Sequence, residues 1–361
     1  MTPLFKPKYL FALLGIFLAG MSNATLASEA TGAFLGAKDT EHPDWFKESF
    51  LDFEDDIDEA AAEDKRLVLY FYQAGCPYCN ALIEHNFTQR DIVETMQSHF
   101  TVVSINMWGD REVVQVGGRS FTEKTLAAAL SVNFTPTLLF FDENKKVILR
   151  LNGYYPPEDF RLALDWAKSS SPAEGAFSDY LAATQTSAAN PTLNNQTFFA
   201  PLPEAWDAAS RPFTAVYFEQ TNCRQCDIMH QQVLSQPVVR TQIDKMHNVQ
   251  LDIWSSTPIT LPDGRQIESR AWAKEMGVKF SPTIIFFDSL GKEVLRMEGA
   301  FKSFHTHGIF RYVNDRAYKQ QPSFQRYLGD LAEHYREQGL DVNIWSDDLA
   351  VSKDNQPVVP D

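Results

Sequence analysis

The sequence predicts an α/β protein built from two copies of one unit, each a mixed central sheet flanked by helices. Helix-patterned and strand-patterned stretches alternate and then close in a strand hairpin, the order expected of an α/β sandwich. The same order then recurs. Cys223 lies 147 residues after Cys76, and Trp254 and Gly264-Arg265 each lie 146 after Trp108 and Gly118-Arg119. VKFSPTIIFFDSLGKEVLRMEG (278–299) repeats VNFTPTLLFFDENKKVILRLNG (132–153), and FQRYL from Phe324 echoes FSDYL from Phe177. An offset that holds at 146 or 147 marks an internal duplication of a unit of roughly 140 residues.

Within the first unit, WFKESFLDFEDDIDEAAAEDK predicts an acidic amphipathic helix with Trp45, Phe46 and Phe50 on its packing face and Glu54-Asp55-Asp56 on a solvated one. LVLYFYQ is a continuous apolar run short enough for a buried strand. Cys76 to about Ser98 is helical in pattern with a break near Thr88, and TVVSINMW is a second strand. The Gly-containing excursion VVQVGGRSF leads into a helix through EKTLAAALS. TLLFFD and KVILRLNG form a strand pair turning at Glu143-Asn144, with Phe140 and Phe141 (and Phe286 and Phe287) in the sheet core. A helix through PPEDFRLALDWAK closes the unit, and the second copy keeps this order.

The chain opens with Lys6 and Lys8, an apolar run and small residues around Ala24 and Ala27. This pattern predicts a secretory signal peptide over 1–27 and export to the periplasm, the apolar run being too short for a comfortable membrane span. The expected boundaries are then 42–183 for the first domain with its helical tail, 184–200 for a Ser/Thr/Asn/Pro-rich linker and 201–346 for the second domain. A net charge of −15 argues against nucleic-acid binding, which depends on neutralising phosphates. All four cysteines fall in C-x-x-C pairs, too few to staple an exported chain of this length, so their pairing points to chemistry.

In each copy a strand runs into C-x-x-C at the start of a helix. Thr135-Pro136 or Ser281-Pro282 follows about 60 residues later and precedes the hairpin. On these residues each unit resembles a thioredoxin fold, over most of 42–168 and 204–318, and is most similar to periplasmic thioredoxin-like proteins. The resemblance implies a thiol–disulfide oxidoreductase acting on protein disulfides, without a cofactor, and recharged by a membrane redox partner. It implies that Cys76 and Cys223 attack, that Cys79 and Cys226 resolve, and that Pro136 and Pro282 are cis. Thr135 and Ser281 are implied to offer backbone hydrogen bonds to an extended substrate. A helix N-terminus favours the attacking thiolate, and a residue three positions on shares its face.

The copies differ where the potential is tuned. Pro77-Tyr78 looks like the glutaredoxin dipeptide, whereas Arg224 places a positive charge beside Cys223. The tryptophan common before the motif is replaced by Gly75 and Asn222, and the buried acid six positions before the first cysteine by Tyr70 and Tyr217. Glu219 lies near enough in sequence to serve instead. A competing reading makes the duplicated fold a scaffold for metal or protein binding, with Cys223, Cys226 and His230 as an incomplete copper(I) or zinc site. Trp108 and Trp254 suit packing at strand ends better than a substrate platform, and GGR and DGR are turns.

Overall fold

The computed structural model describes residues 31–38, 41–169, 177, 180, 184, 192–206, 211–278 and 280–360. The expected signal peptide, and most of the segment read as tail and linker, lie outside the described residues. Among the described residues no helix is long and apolar enough to cross a membrane.

A short strand β1 (Phe34–Leu35) precedes the first unit. Helix α1 (Phe53–Ala62) starts later than the acidic stretch suggests, because Asp52 caps it by accepting the N–H groups of Glu54 and Asp55 at 3.1 and 3.4 Å. Leu51, held at φ 64°, turns the chain just before the cap. This corrects two expectations. Phe50 lies outside the helix and is fully exposed, while Trp45 and Phe46 pack from the preceding turn. Asp56 is buried rather than solvated, taking Lys47 at 2.7 Å and the Ser49 hydroxyl at 2.6 Å.

Strand β2 (Arg66–Tyr72) leads into α2 (Pro77–Ala81), a π-helical turn over Leu82–Asn86 and α3 (Arg90–His99). The break near Thr88 falls between the last two. Then follow β3 (Phe100–Asn106), the small hairpin β4 (Glu112–Val114) and β5 (Ser120–Thr122), and α4 (Glu123–Ala129). The unit ends with β6 (Thr137–Phe141), β7 (Val147–Asn152) and α5 (Pro157–Ser169).

The second unit repeats this with β8 (Phe213–Glu219), α6 (Arg224–Ile228), a π turn over Met229–Val233 and α7 (Pro237–Ile243). Next come β9 (His247–Asp252), β10 (Pro258–Thr260), β11 (Gln266–Glu268) and α8 (Ser269–Glu275). β12 (Thr283–Asp288), β13 (Glu293–Glu298) and α9 (Ser303–Asn314) close it. Beyond it lie α10 (Phe324–Glu337), β14 (Asp341–Asn343), β15 (Val351–Lys353) and β16 (Gln356–Pro357).

Each unit has a four-stranded mixed sheet, ordered β3-β2-β6-β7 in the first and β13-β12-β8-β9 in the second. β2 pairs with β3, and β8 with β9, in parallel; the other pairs are antiparallel. The strand period of two divides each sheet between two cores. Leu67, Leu69 and Phe71 face one core of the first unit, and Val216 and Phe218 its counterpart in the second. Val68 and Tyr70 on the opposite face join Ala215 and Tyr217 in a single core that runs through both units.

The contact between the units is locally two-fold. Asn152 donates its Nδ2 to the carboxylate of Glu298, its own counterpart 146 residues on. Phe301 stacks on Phe134 at 5.1 Å, and its counterpart Tyr155 packs on Phe280 at 4.9 Å. Gly153, at φ 83°, is needed there, since a Cβ would stand 3.0 Å from the Phe301 ring. A small sheet unforeseen in the sequence, ordered β1-β14-β15-β16, ties residues 34–35 to the C-terminal segment.

Candidate functional site

Both cysteine pairs occupy the end of a central strand and the start of a helix. Cys76 is the N-cap of α2 and Cys223 of α6; each Sγ accepts the N–H of the cysteine three residues on, Cys79 or Cys226, at 3.0 Å. Both pairs are closed as disulfides, with Cα atoms 5.3 and 5.2 Å apart. An amide aimed at sulfur stabilises the same atom as a thiolate once the pair is reduced.

The Thr135-Pro136 and Ser281-Pro282 bonds are cis, as the resemblance implied. The turn is clamped identically in the two copies. Thr137 and Thr283 donate their hydroxyls to the Phe134 and Phe280 carbonyls at 2.8 Å, and the Gly153 and Gly299 amides donate to the Pro136 and Pro282 carbonyls at 2.7 and 2.8 Å. Thr135 thereby meets the first dithiol, donating its hydroxyl to Cys76 Sγ at 3.3 Å. Ser281 instead donates to the Phe218 carbonyl at 3.5 Å.

The surroundings of the two dithiols are unlike. At the first, Tyr78 is buried beneath the second unit: Phe301, His305 and Trp345 lie 5.6, 4.9 and 5.4 Å from its ring, and the Lys302 amide donates to its hydroxyl at 2.8 Å. Burial pushes the Tyr78 phenol well above its ordinary range, so it stays neutral. Asn80 donates to the Lys38 carbonyl at 2.7 Å, and Gln325 joins Gln73 at 2.9 Å and the Asn133 carbonyl at 3.0 Å. Cys76 is left 2 % exposed and Cys79 fully buried.

At the second dithiol, Cys223 is 7 % exposed and opens onto a cavity of about 390 Å³ between the units. Tyr154, Tyr155, Glu158 and Asp159 of the first unit face Cys223, Arg224, Trp254 and Phe280 of the second. Arg224 stands 3.6 Å from Glu158, both largely exposed. Trp254, expected to pack, is partly exposed in this wall and donates its indole N–H to Gln220 at 3.0 Å.

Behind Cys226 the copies diverge again. Glu219 and His230 are fully buried; His230 Nε2 lies 2.8 and 3.0 Å from the two carboxylate oxygens, and Gln250 donates to the second at 2.9 Å. His230 is thus a buried partner of Glu219 rather than a third ligand beside the thiols. Among the described residues, no group of three or more His, Cys, Asp and Glu is placed to hold a metal. Tyr217 sits where a buried acid would be expected and reaches Asn248 at 3.3 Å; burial drives its phenol far above its ordinary range.

Sequence reasoning missed the residues each unit lends to the other: Tyr155 and Asp159 at the second dithiol, Phe301, His305 and Trp345 at the first. The repeat offset pairs Tyr155 with Phe301 and Asp159 with His305. Their facing the opposite dithiol follows only from the packing of the units.

A family model described as a thioredoxin-like domain matches the chain twice, over residues 53–168 and 204–314. No curated protein matches the chain. Among solved structures, a thioredoxin-fold protein from Helicobacter pylori is 15 % identical, covering 40 % of this chain and 99 % of its own with a TM-score of 0.32. A thioredoxin from Thermus thermophilus is 17 % identical, covering 40 % and 92 % with a TM-score of 0.28. The oxidised C-terminal domain of DsbD from Neisseria meningitidis is 15 % identical, covering 33 % and 93 % with a TM-score of 0.25.

Proposed function

The chain belongs to the thioredoxin-like domain family, and from that membership we propose that it is a periplasmic thiol–disulfide oxidoreductase acting on protein disulfides. The observation that carries the reading is the double placement of an N-cap cysteine, its partner three residues on and a cis-proline turn. With the pair reduced, the attacking thiolate (Cys76 or Cys223) displaces one sulfur of a substrate disulfide and forms a mixed disulfide. Cys79 or Cys226 then attacks that cysteine's sulfur and releases the second substrate sulfur. Two electrons and two protons pass to the substrate, and the protein pair is left oxidised.

We place the protein among reductants or isomerases, exported behind the leader at 1–27 and recharged by a membrane redox partner. The test is the potential of each dithiol, measured in mature protein with the other pair changed to serine, alongside insulin reduction. Values of about −250 mV or lower, with insulin reduction abolished only when both pairs are serine, are the expected outcome. Values near about −120 mV would make it an oxidant, and failure of either pair to cycle would leave that unit a scaffold.

A further inference from the structure

Among the described residues, neither unit places an acid at the position beneath its own dithiol where one would be expected. Tyr70 and Tyr217 fill the position from which one would act, and Glu219 is held by both His230 and Gln250. Exchange still has to move protons, because the attacking thiol must lose one and a leaving thiolate of high pKa departs more slowly than one of low pKa.

Asp159 lies in the wall of the inter-unit cavity that Cys223 lines, in the first turn of α5. Its carboxylate is half-buried and takes no hydrogen bond from the described residues; the groups acting on its charge are Glu158 beside it and Arg224 across the cavity. The other titratable groups facing the cavity are Tyr154 and Tyr155 from the first unit and Cys223 itself; Gln220, Ile253, Trp254, Phe280, Gly299 and Ala300 on the second unit's side carry no charge. The position is a structural equivalent of His305, which follows at the offset of 146 and stands against Tyr78 at the first dithiol. The same helical position therefore carries a titratable side chain in both units, one against Tyr78 between the first pair of cysteines and one in the cavity that Cys223 lines.

We propose that Asp159 is the proton acceptor and donor for Cys223, supplied across the cavity by the neighbouring unit. This rests on the oxidoreductase reading and adds a residue to it. The Cys223 thiol gives its proton to the Asp159 carboxylate, and the thiolate attacks one sulfur of the substrate disulfide. As the substrate S–S bond breaks, the departing thiolate takes that proton back from Asp159. Cys226 then forms the S–S bond to Cys223, its own proton leaving with the second substrate sulfur, so that the dithiol loses two electrons and the substrate gains them. Burial and the adjacent Glu158 raise the Asp159 carboxyl to about 6, against the pull of Arg224, which suits exchange near neutrality.

The test uses the full mature chain with Cys76 and Cys79 changed to serine, so that one dithiol is read. The reduced protein is mixed with bis(2-hydroxyethyl) disulfide, whose leaving alkyl thiol has a high pKa and gains from proton donation, and with 5,5′-dithiobis(2-nitrobenzoic acid), whose leaving aromatic thiol has a low pKa and gains little. Rates are followed from pH 4.5 to 8. The expected result is an inflection near 6 that Asp159→Asn abolishes, with a rate loss of roughly tenfold or more at pH 7 for the alkyl disulfide and a smaller loss for the aromatic one. Glu158→Gln, which removes the neighbouring negative charge, should move the inflection to lower pH and keep it. An unchanged pH profile in Asp159→Asn, or equal losses with both disulfides, would overturn the proposal. A parent protein that exchanges with neither disulfide would instead overturn the oxidoreductase reading beneath it.

Discussion

Tyr78 separates the two dithiols more than the cysteines themselves do. Its ring packs against Phe301, His305 and Trp345, whereas its counterpart Gln225 lines the cavity, and burying an aromatic side chain contributes on the order of 2–3 kcal/mol to holding the second unit and the C-terminal segment over Cys76. In fully reduced protein, Cys223 should therefore react with iodoacetamide roughly tenfold faster than Cys76, read by peptide mapping of partly alkylated protein. Trp345→Ala should narrow that gap by uncovering one edge of Tyr78. Equal rates in the parent would show that the cover does not protect the site. Glu219 and His230 form the other residue-scale contrast, since their counterparts Tyr72 and Ile83 have no such pair. Glu219→Leu should cost about 1–3 kcal/mol in denaturant unfolding, because it leaves the buried His230 side chain, and Gln250 beside it, without their acceptor. The four cysteines stood out by their paired spacing and the repeat, and the two prolines by the resemblance to a thioredoxin fold. The pairing of His230 was not legible, because nothing local in a sequence says which buried acid a histidine will meet.

Among the elements, strands and hairpins followed the sequence reading closely. Runs such as LVLYFYQ and TLLFFD are apolar on both faces, and only a strand between two packed layers buries both. Helix starts were less legible. Trp45, Phe46 and Phe50 have helical spacing, yet Asp52 provides the first good cap, and the unpaired N–H groups of a helix favour beginning there. Asp52→Ala should lower stability by about 1 kcal/mol, seen as a lower denaturation midpoint with an unchanged slope. Asp52→Asn should recover most of that loss, since the amide oxygen caps as well. A π turn follows each cysteine helix, over Leu82–Asn86 and Met229–Val233, and in the second copy it carries His230 inward to Glu219.

At the scale of the whole molecule, α9 joins the two units and makes the fold sensitive to acid. His305 and His307 are both buried, and burial lowers each to about 4. His307 is held between the Val238 carbonyl and the Tyr335 hydroxyl, each at 2.8 Å. Between about pH 4 and 6.5 the unfolded chain binds protons that these imidazoles refuse in the fold, so stability rises with pH across that window. The effect is on the order of 3 kcal/mol per histidine. Asp159 works the other way: its raised carboxyl favours the fold below about 4 and loses that advantage as pH rises through about 6. Two histidines outweigh one partly exposed aspartate, so urea unfolding should show net stabilisation from pH 4 to 6.5. Changing His307 to Gln should flatten the rise; a parent curve already flat would mean that the histidines are not buried neutral.

The sequence by itself determined the duplication, the order of strands and helices in each unit, and the cysteine and proline positions, because a repeat offset, apolar periodicity and short-range spacing are local properties of a chain. It did not determine that Asn152 would meet its own counterpart Glu298, or that β1 would pair with a strand more than 300 residues away. Nor did it determine that Phe301 and His305 would close over Tyr78 at the first dithiol while their counterparts Tyr155 and Asp159 wall a cavity at the second. Those outcomes depend on which two surfaces exclude water from each other, and that is decided only when both units are folded and their exposed apolar faces are matched.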